Sequence, residues 1–461
     1  MSLLAAFMVP HPPLIVPAVG KGGEKQITET TKAYERVADE VAALRPDTIV
    51  VTSPHAVMYA DYFHISPGEG AAGSFARFGA PEVSFTERYD TAFVKKLCAL
   101  ADEADFPAGT DGERDASLDH GVLVPLWFIR SKYAGGKIVR IGLSGLPLTD
   151  HYRLGQLIAR AAAETDEKIV LVASGDLSHK LQSYGPYGFA PEGPAYDRRL
   201  MDVCGRAAFG ELLEFDETFC DKAAECGHRS FVIMAGAFDG LRVRAAVLSH
   251  QDVTGVGYGV GAFYPDTADE DRCFLRAFLA KEARLCEEKA AAEDPYVRLA
   301  RASVTSWVTR RERLPLPQDL PAEMLSGRAG AFVSLHKNGQ LRGCIGTILA
   351  TQNTLADEIV MNAISACARD PRFRPVSADE LKYLEISVDV LGAPEDISSP
   401  AALDVKRYGV IVSCGQRRGL LLPDLEGVDT VEEQIRIARQ KGGIGEHEPY
   451  SLQRFEVVRH V

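Results

Sequence analysis

The chain lacks a long apolar run. No stretch of its 461 residues approaches the ~18 consecutive apolar side chains that a membrane-spanning helix needs. A leader is not expected either. Leu3 to Val9 are apolar, yet no basic segment precedes them and Pro10-His11-Pro12-Pro13 follows. Positive charge is short: 51 basic against 64 acidic side chains give a formal net charge of -13, the wrong sign for a surface that coats nucleic-acid phosphates. The nine cysteines include no C-x-x-C pair, so the spacing of a zinc ribbon or a dithiol redox site is missing. A reducing, cytoplasmic setting is therefore expected. Internal repeats and low-complexity tracts are missing too. What is present is ordinary globular composition, 46% hydrophobic and 25% charged, in a chain long enough for two or more domains.

The first part alternates short Val- and Ile-rich runs with helical patterns. Strands are expected at Leu3–Val9, Thr48–Thr52, Lys137–Leu143, Lys168–Ala173, Val243–Leu248 and Gly257–Tyr264. Between the first two, Ile27, Thr31, Tyr34, Val37, Val41 and Leu44 recur at helical spacing. Further helices are expected at Thr91–Glu103, His151–Glu164, Ala195–Phe209 and Arg229–Gly240. Strands alternating with helices imply an α/β domain, a central sheet with helices on both faces. The pattern breaks at the acidic segment Pro265–Asp271, and a helix of different character (Cys273 to Ala292) follows. Residues 1–266 hold 25 basic and 35 acidic groups, residues 267–461 hold 26 and 29, so a domain boundary is placed at 266/267. The second part has another grammar. Gly330 to Leu335 and Leu341 to Gly346 flank an Asn338-Gly339 hairpin turn, Leu355 to Ala366 reads as a helix ending before Pro371, and Leu384 to Val390 alternates like a half-buried antiparallel strand. It is expected to be a smaller α+β domain.

Three histidines lie just beyond expected strands: His11, His55 in Ser53-Pro54-His55, and His179 in Ser174-Gly175-Asp176-Leu177-Ser178-His179. Open α/β sheets bind ligands outside the carboxyl ends of their strands, so the three converge if those strands are parallel neighbours. The prolines beside His11 and His55 stiffen their loops, and Asp176 or Ser178 offers to orient the His179 ring. His120, between Asp119 and Gly121, is either functional or the first residue of a helix. An iron site of the two-histidine, one-carboxylate kind needs an acid as well. Glu225, in Ala224-Glu225-Cys226-Gly227-His228, is the candidate; its ordinary reading is a helix-dipole partner, and Cys226 is either an alternative ligand or a buried thiol.

Taken together and in this order, "VPHPP", "SPH", "LDHGVLVPL", "SGDLSH" and "AECGHRS" resemble the class III (LigB-type) extradiol ring-cleavage dioxygenases and their Memo-like relatives, over residues 1 to about 265. The resemblance implies that His11, His55 and Glu225 bind Fe(II), with Zn²⁺ an alternative for the same ligands, and that His120 and His179 are acid/base groups. It implies, as the leading reading, a non-haem Fe(II)-dependent extradiol-type dioxygenase acting on a catecholic substrate with O₂, and as the alternative a Memo-like metal-binding or scaffold protein. The region from about residue 270 onward resembles the AMMECR1 domain, through "LRGCIG" (Leu341 to Gly346), "GAFVSL", "ARDPRF" and "ISVDVL". Bacterial relatives of the two halves are associated with a radical-SAM protein, which implies such a partner for a Memo-like reading without ring cleavage.

Neither nucleic acid nor membrane is an expected partner, and an oligomer is compatible with the sequence. In the second part, Arg342-Gly343-Cys344 breaks an apolar hairpin. Cys344 is either a reactive thiol beside a cation or a buried cysteine whose glycine neighbour admits close backbone approach. Arg369, Arg372 and Arg374 are either an anion site or a solvated basic loop.

Overall fold

The structure is a computed structural model that describes every residue except Met1, Asn338 and Glu426. It divides into two compact units, Met1–Phe278 and Leu279–Val461.

The first unit is built on six strands: β1 (Leu3–Val9), β2 (Thr48–Ser53), β3 (Lys137–Gly142), β4 (Ile169–Ser174), β5 (Leu241–Gln251) and β6 (Tyr258–Ala268). Their order across the sheet is β3-β2-β4-β1-β6-β5. β1 to β4 run parallel, while β6 pairs antiparallel to β1 and to β5, so the sheet is mixed. Parallel strands covered on both faces need no polar alternation. Accordingly β2 and β4 are buried at every position and β1 at all but Leu4. One face carries α1 (Thr28–Leu44) and the other α4 (Leu148–Thr165), with α2 (Thr91–Glu103), α3 (His120–Lys132), α5 (Glu192–Arg206) and α6 (His228–Ala237) completing the layers. A core of Phe7, Val9, Val51 and Val172 from the strands meets Tyr34, Val37, Val122 and Phe128 from α1 and α3.

Each expected strand and helix of this unit is present, with ends shifted by a few residues. A hairpin, Gly70–Phe75 with Ala80–Arg88, lies where no element was expected, and α3 runs from His120, where a helix start was one of two readings but no helix extent was assigned. α3 hides its period because it is buried almost all round: Val122 to Leu126, Phe128 and Ile129 are all inside. It also contains Pro125, which ordinarily argues against a helix interior. Among the described residues no helix is long and apolar enough to cross a membrane.

The second unit is an antiparallel sheet in the order Gln340–Gly346, Ala331–Lys337, Leu384–Leu391, Ser451–His460, Tyr408–Cys414, Arg417–Leu421, with Glu395–Ile397 added beside Ser451–His460. Helices Pro295–Arg310 and Leu355–Ala368 pack on it through Val297, Val304, Ile359 and Ala363, which gives an α+β unit. The expected Asn-Gly turn involves Asn338, which lies outside the described residues. Gly343 is a packing glycine. A Cβ there would stand 2.3 Å from the Ala366 carbonyl oxygen of the covering helix, closer than any atom pair allows.

Candidate metal centre

The strand register levels the site. Val9 of β1 is opposite Ser174 of β4, and Thr52 of β2 is opposite Ala173 of β4. His11, His55 and His179 therefore leave the carboxyl ends of three adjacent parallel strands, the arrangement their convergence required.

His11 is buried and doubly held. Its backbone N–H donates to Asp176 Oδ1 at 2.8 Å, and its Nδ1 stands 3.0 Å from Ser174 Oγ. The Ser174 hydroxyl spends its own proton on the Gly121 carbonyl at 2.6 Å. It must then accept from Nδ1–H, which leaves the His11 Nε2 lone pair free. That Nε2 lies 2.9 Å from Nε2 of the solvent-exposed His55 and 3.6 Å from Sγ of Cys226. Imidazoles bound at ~2.1 Å to one ion, 90–110° apart, bring their nitrogens to ~3.0–3.4 Å, and a thiolate at ~2.3 Å lies ~3.5 Å from such a nitrogen. The donor atoms of His11, His55 and Cys226, all within 4.8 Å of one another, thus have the spacing of a metal triad.

Cys226 reaches His11 because two glycines let their loops touch. A Cβ on Gly175 would stand 2.1 Å from Cα of Gly227. The same contact lets the Asp176 N–H donate to Cys226 Sγ at 3.3 Å.

Glu225, expected as the carboxylate ligand, is turned elsewhere. Ala224 takes a left-handed conformation (φ 53°) at the end of helix Glu217–Ala223. The chain then swings so that Glu225 Oε2 accepts the His228 N–H at 2.6 Å, at the start of α6. Glu225 lines a separate small pocket with Phe215, Cys220 and Arg229. The donor group beside the two histidines contains Cys226 in its place. The dipole-partner reading describes Glu225, and an orphan helix N–H is the physical reason.

His120 is indeed the first residue of a helix, yet it also reaches the site. Its ring stacks on His55 at 4.0 Å between centroids and meets His11 edge-on at 5.3 Å. His179 stacks on Tyr187 at 5.1 Å, and its Nε2 is buried without a hydrogen-bond partner. Ser178 does not orient it, since its hydroxyl donates to the Ala223 carbonyl. Asp176 does more than sequence suggested: beside its bond to the His11 backbone, its Oδ2 lies 4.0 Å from His11 Nε2. Ser174 and Gly121 were not singled out as functional; "SGDLSH" and "LDHG" contain them, but their bond forms only when β4 and α3 meet.

Burial sets the charges. It pushes His11 well below the ordinary imidazole range and His120 down to about 3, the neighbouring histidines adding to the effect, and it lowers His179 against the opposing pull of Asp176. These rings are neutral and able to donate lone pairs. Burial raises the Cys226 thiol well above its usual range and Asp176 to about 6. A cation bound beside Cys226 would supply the charge that releases the thiol proton.

In the second unit Cys344 is half-buried, and Ser334 Oγ lies 3.2 Å from its sulfur. Its cation is not Arg342, which forks onto Glu380 at 2.9 and 3.0 Å. Arg372 stands there instead, donating to the Cys344 carbonyl at 3.1 Å and to Asp370 at 2.7 Å.

The family model of the catalytic LigB subunit of aromatic ring-opening dioxygenase matches residues 5–261, and that of AMMECR1 matches residues 297–460. A protein of Clostridium acetobutylicum is 40% identical over 468 aligned residues, covering 100% of this chain and 99% of that one. A protein of Thermotoga maritima is 51% identical over 170 residues, 36% of this chain and 98% of its own length. A solved structure of an uncharacterized Escherichia coli K12 protein is 18% identical with a TM-score of 0.39, over 57% of this chain and 99% of that one.

Proposed function

Because the chain belongs to the family of the catalytic LigB subunit of aromatic ring-opening dioxygenases and carries an AMMECR1 domain behind it, we propose that its first unit is a Memo-like metal-binding protein, with one transition ion on His11, His55 and Cys226 and without ring-cleavage activity. One observation carries this reading: the Cys226 sulfur lies 3.6 Å from His11 Nε2, while the neighbouring Glu225 carboxylate is spent on the His228 N–H. Oxygenases of the facial-triad kind use two histidines and a carboxylate, whereas two imidazoles and a thiolate form a softer set suited to zinc, copper or iron.

When bound, such an ion supplies Lewis acidity and, if iron or copper, one-electron chemistry. The chain's own contribution is orientation and proton handling. Ser174 fixes the His11 tautomer, and the Gly175–Gly227 contact sets the Cys226 sulfur beside it. His120, neutral and stacked on His55, holds a ring nitrogen where a proton can pass to or from a molecule at the mouth. His55 is exposed, so that mouth is open. The AMMECR1 unit suits modification chemistry with a radical-SAM partner better than aromatic catabolism.

A second reading keeps Fe(II), a catecholic substrate and O₂. It is favoured by Asp176, a carboxylate whose Oδ2 stands 4.0 Å from His11 Nε2. His120 and His179 would then serve as its acid/base pair.

The two readings part under anaerobic Fe(II) loading, followed by metal analysis and oxygen uptake with a panel of catechols. The expected result is metal retained in Glu225→Gln, metal lost in Cys226→Ser, and no catechol-dependent uptake. Catechol-dependent uptake that survives Cys226→Ser and disappears in Asp176→Asn would overturn the Memo-like reading.

A further inference from the structure

We propose that the same pocket holds a second metal ion, on Asp176, His179 and Cys226, so that the Cys226 sulfur bridges two ions. This rests on the His11–His55–Cys226 centre proposed above and extends it.

The donor atoms of Asp176, His179 and Cys226 lie within 4.8 Å of one another, as those of His11, His55 and Cys226 do. The two triplets share one residue, Cys226, and use different atoms otherwise. A thiolate has lone pairs enough for two ions; a single imidazole nitrogen does not. The shared atom is thus the one in the cluster best suited to bridging.

His179 carries the second, independent observation. Its Nε2 is buried and has no hydrogen-bond partner among the described residues. Buried imidazole nitrogens ordinarily find a donor or an acceptor, and one left without either marks a place where something else binds. Two fully buried histidines illustrate the difference: both ring nitrogens of His151 and of His228 have protein partners. His11 has one ring nitrogen on Ser174 and the other aimed at His55 and Cys226. Asp176 divides in the same way. Its Oδ1 is committed to the His11 backbone N–H, and its Oδ2 lies 4.0 Å from His11 Nε2.

The chemical class follows from the donors. One carboxylate oxygen, one imidazole and a shared thiolate suit a borderline divalent ion, Zn²⁺ or Co²⁺ in the laboratory. Paired ions of this kind stand ~3.5–4 Å apart and clamp an oxygen that reaches both. Two divalent ions against one thiolate and one carboxylate leave net positive charge, so the co-ligand that completes the centre is anionic: hydroxide, or a carboxylate or phosphate oxygen of the substrate. In this state His179 is a ligand and the proton traffic falls to His120.

The test is metal stoichiometry in the full-length chain. Apo-protein, prepared with a chelator under reducing, anaerobic conditions, is titrated with Zn²⁺ for elemental analysis and with Co²⁺ for sulfur-to-metal charge-transfer absorption. Wild type is expected to take two ions per chain, with the absorption still growing over the second equivalent. His179→Ala and Asp176→Asn are expected to take one each; Asn keeps the oxygen that accepts the His11 N–H, which protects the fold of the second variant. One ion in wild type, or two in both variants, overturns the second site and leaves the His11–His55–Cys226 centre standing. No ion in wild type overturns that centre as well.

Discussion

Nδ1 of His11 stands 3.0 Å from the hydroxyl of Ser174, and that hydroxyl is committed to the Gly121 carbonyl at 2.6 Å. The commitment has a cause four residues along. In a helix the Gly121 carbonyl would accept the N–H of residue 125, but residue 125 is proline and has none. Pro125 therefore leaves an acceptor open, Ser174 fills it, and the filled hydroxyl dictates which nitrogen of His11 carries the proton. A partner of this kind is typically worth ~10–100-fold in metal affinity. Ser174→Ala is expected to weaken metal binding by about that factor in competition with a chromophoric chelator, with the fold unchanged by circular dichroism. An unchanged affinity would show that the tautomer is set some other way.

Glu225 and Cys226 are adjacent in sequence and do different work, which separates their variants. Burial pushes Glu225 up to about 7 from 4.5. A carboxyl raised on folding binds its proton more tightly in the native state, so its stabilising effect is full below pH 4.5 and is lost as pH rises through about 7. The loss amounts to ~3 kcal/mol at 1.36 kcal/mol per pH unit. Glu225→Gln is expected to gain stability relative to wild type as pH rises through that window, read as a growing difference between their urea midpoints, and to keep its metal. A difference that stays constant across the window would refute the raised carboxyl.

The sheet was legible because burial on both faces writes itself as runs such as Ile49-Val50-Val51 and Ile169-Val170-Leu171-Val172. The histidines were legible because strand ends and prolines frame them. The course of the 224–227 loop was not, and the reason is geometric: Glu225 and Cys226 occupy one loop, and the left-handed Ala224 decides which of them faces His11. Nothing in the residue types requires a left-handed alanine. The extent of α3 escaped for the opposite reason, a helix buried over most of its length having little polar face to show its period. The neighbour of Cys344 was misjudged because sequence adjacency favoured Arg342, whereas the sheet and the Asp370 loop bring up Arg372.

Two histidines away from the centre predict acid lability. His151 donates Nδ1–H to the Pro147 carbonyl and accepts the Ser144 N–H, and His228 donates Nε2–H to the Leu212 carbonyl and accepts the Tyr196 hydroxyl. Each is satisfied only when neutral, and burial pushes them down to about 3 and about 4. A base depressed on folding stabilises the protein above its unfolded value of 6.5, and that stability is lost as pH falls toward the folded value. Urea midpoints of the first unit's transition are expected to drop between pH 6.5 and 4, less steeply in His151→Gln. Equal slopes would mean that His151 is charged or solvated in the native state.

Gly343 separates packing from chemistry in "LRGCIG". The 2.3 Å between a Cβ there and the Ala366 carbonyl oxygen cannot be relieved by a side-chain rotation, because the obstacle is backbone. Gly343→Ala is expected to cost ~1–3 kcal/mol of the second unit's stability, while Cys344→Ala, at a half-buried position, costs less. Scanning calorimetry that resolves the two units checks both. A Gly343→Ala protein as stable as wild type would mean that the strand and the helix are not pressed together there.

Arg140 is the most deeply buried cation of the first unit, 1% exposed. It donates Nε–H to Ser66 Oγ at 2.6 Å, reaches the Ser117 and Asp115 carbonyls, and pairs with Glu113 at 3.5 Å. Its fork thus pins residues 113–117, the segment that delivers Asp119 and His120. Lysine, with one ammonium, cannot replace a planar fork that holds several acceptors at once. Arg140→Lys is expected to destabilise the unit by about 3 kcal/mol and to open the 111–119 segment to limited proteolysis. Metal content should remain, since His11, His55 and Cys226 hang from other elements. One link qualifies that independence: Ser53, next to the His55 loop, donates to Asp119 Oδ1 at 2.6 Å. If Arg140→Lys loses metal together with its protease resistance, the strain has travelled through that bond, and Ser53→Ala should then protect the centre from the Arg140 change.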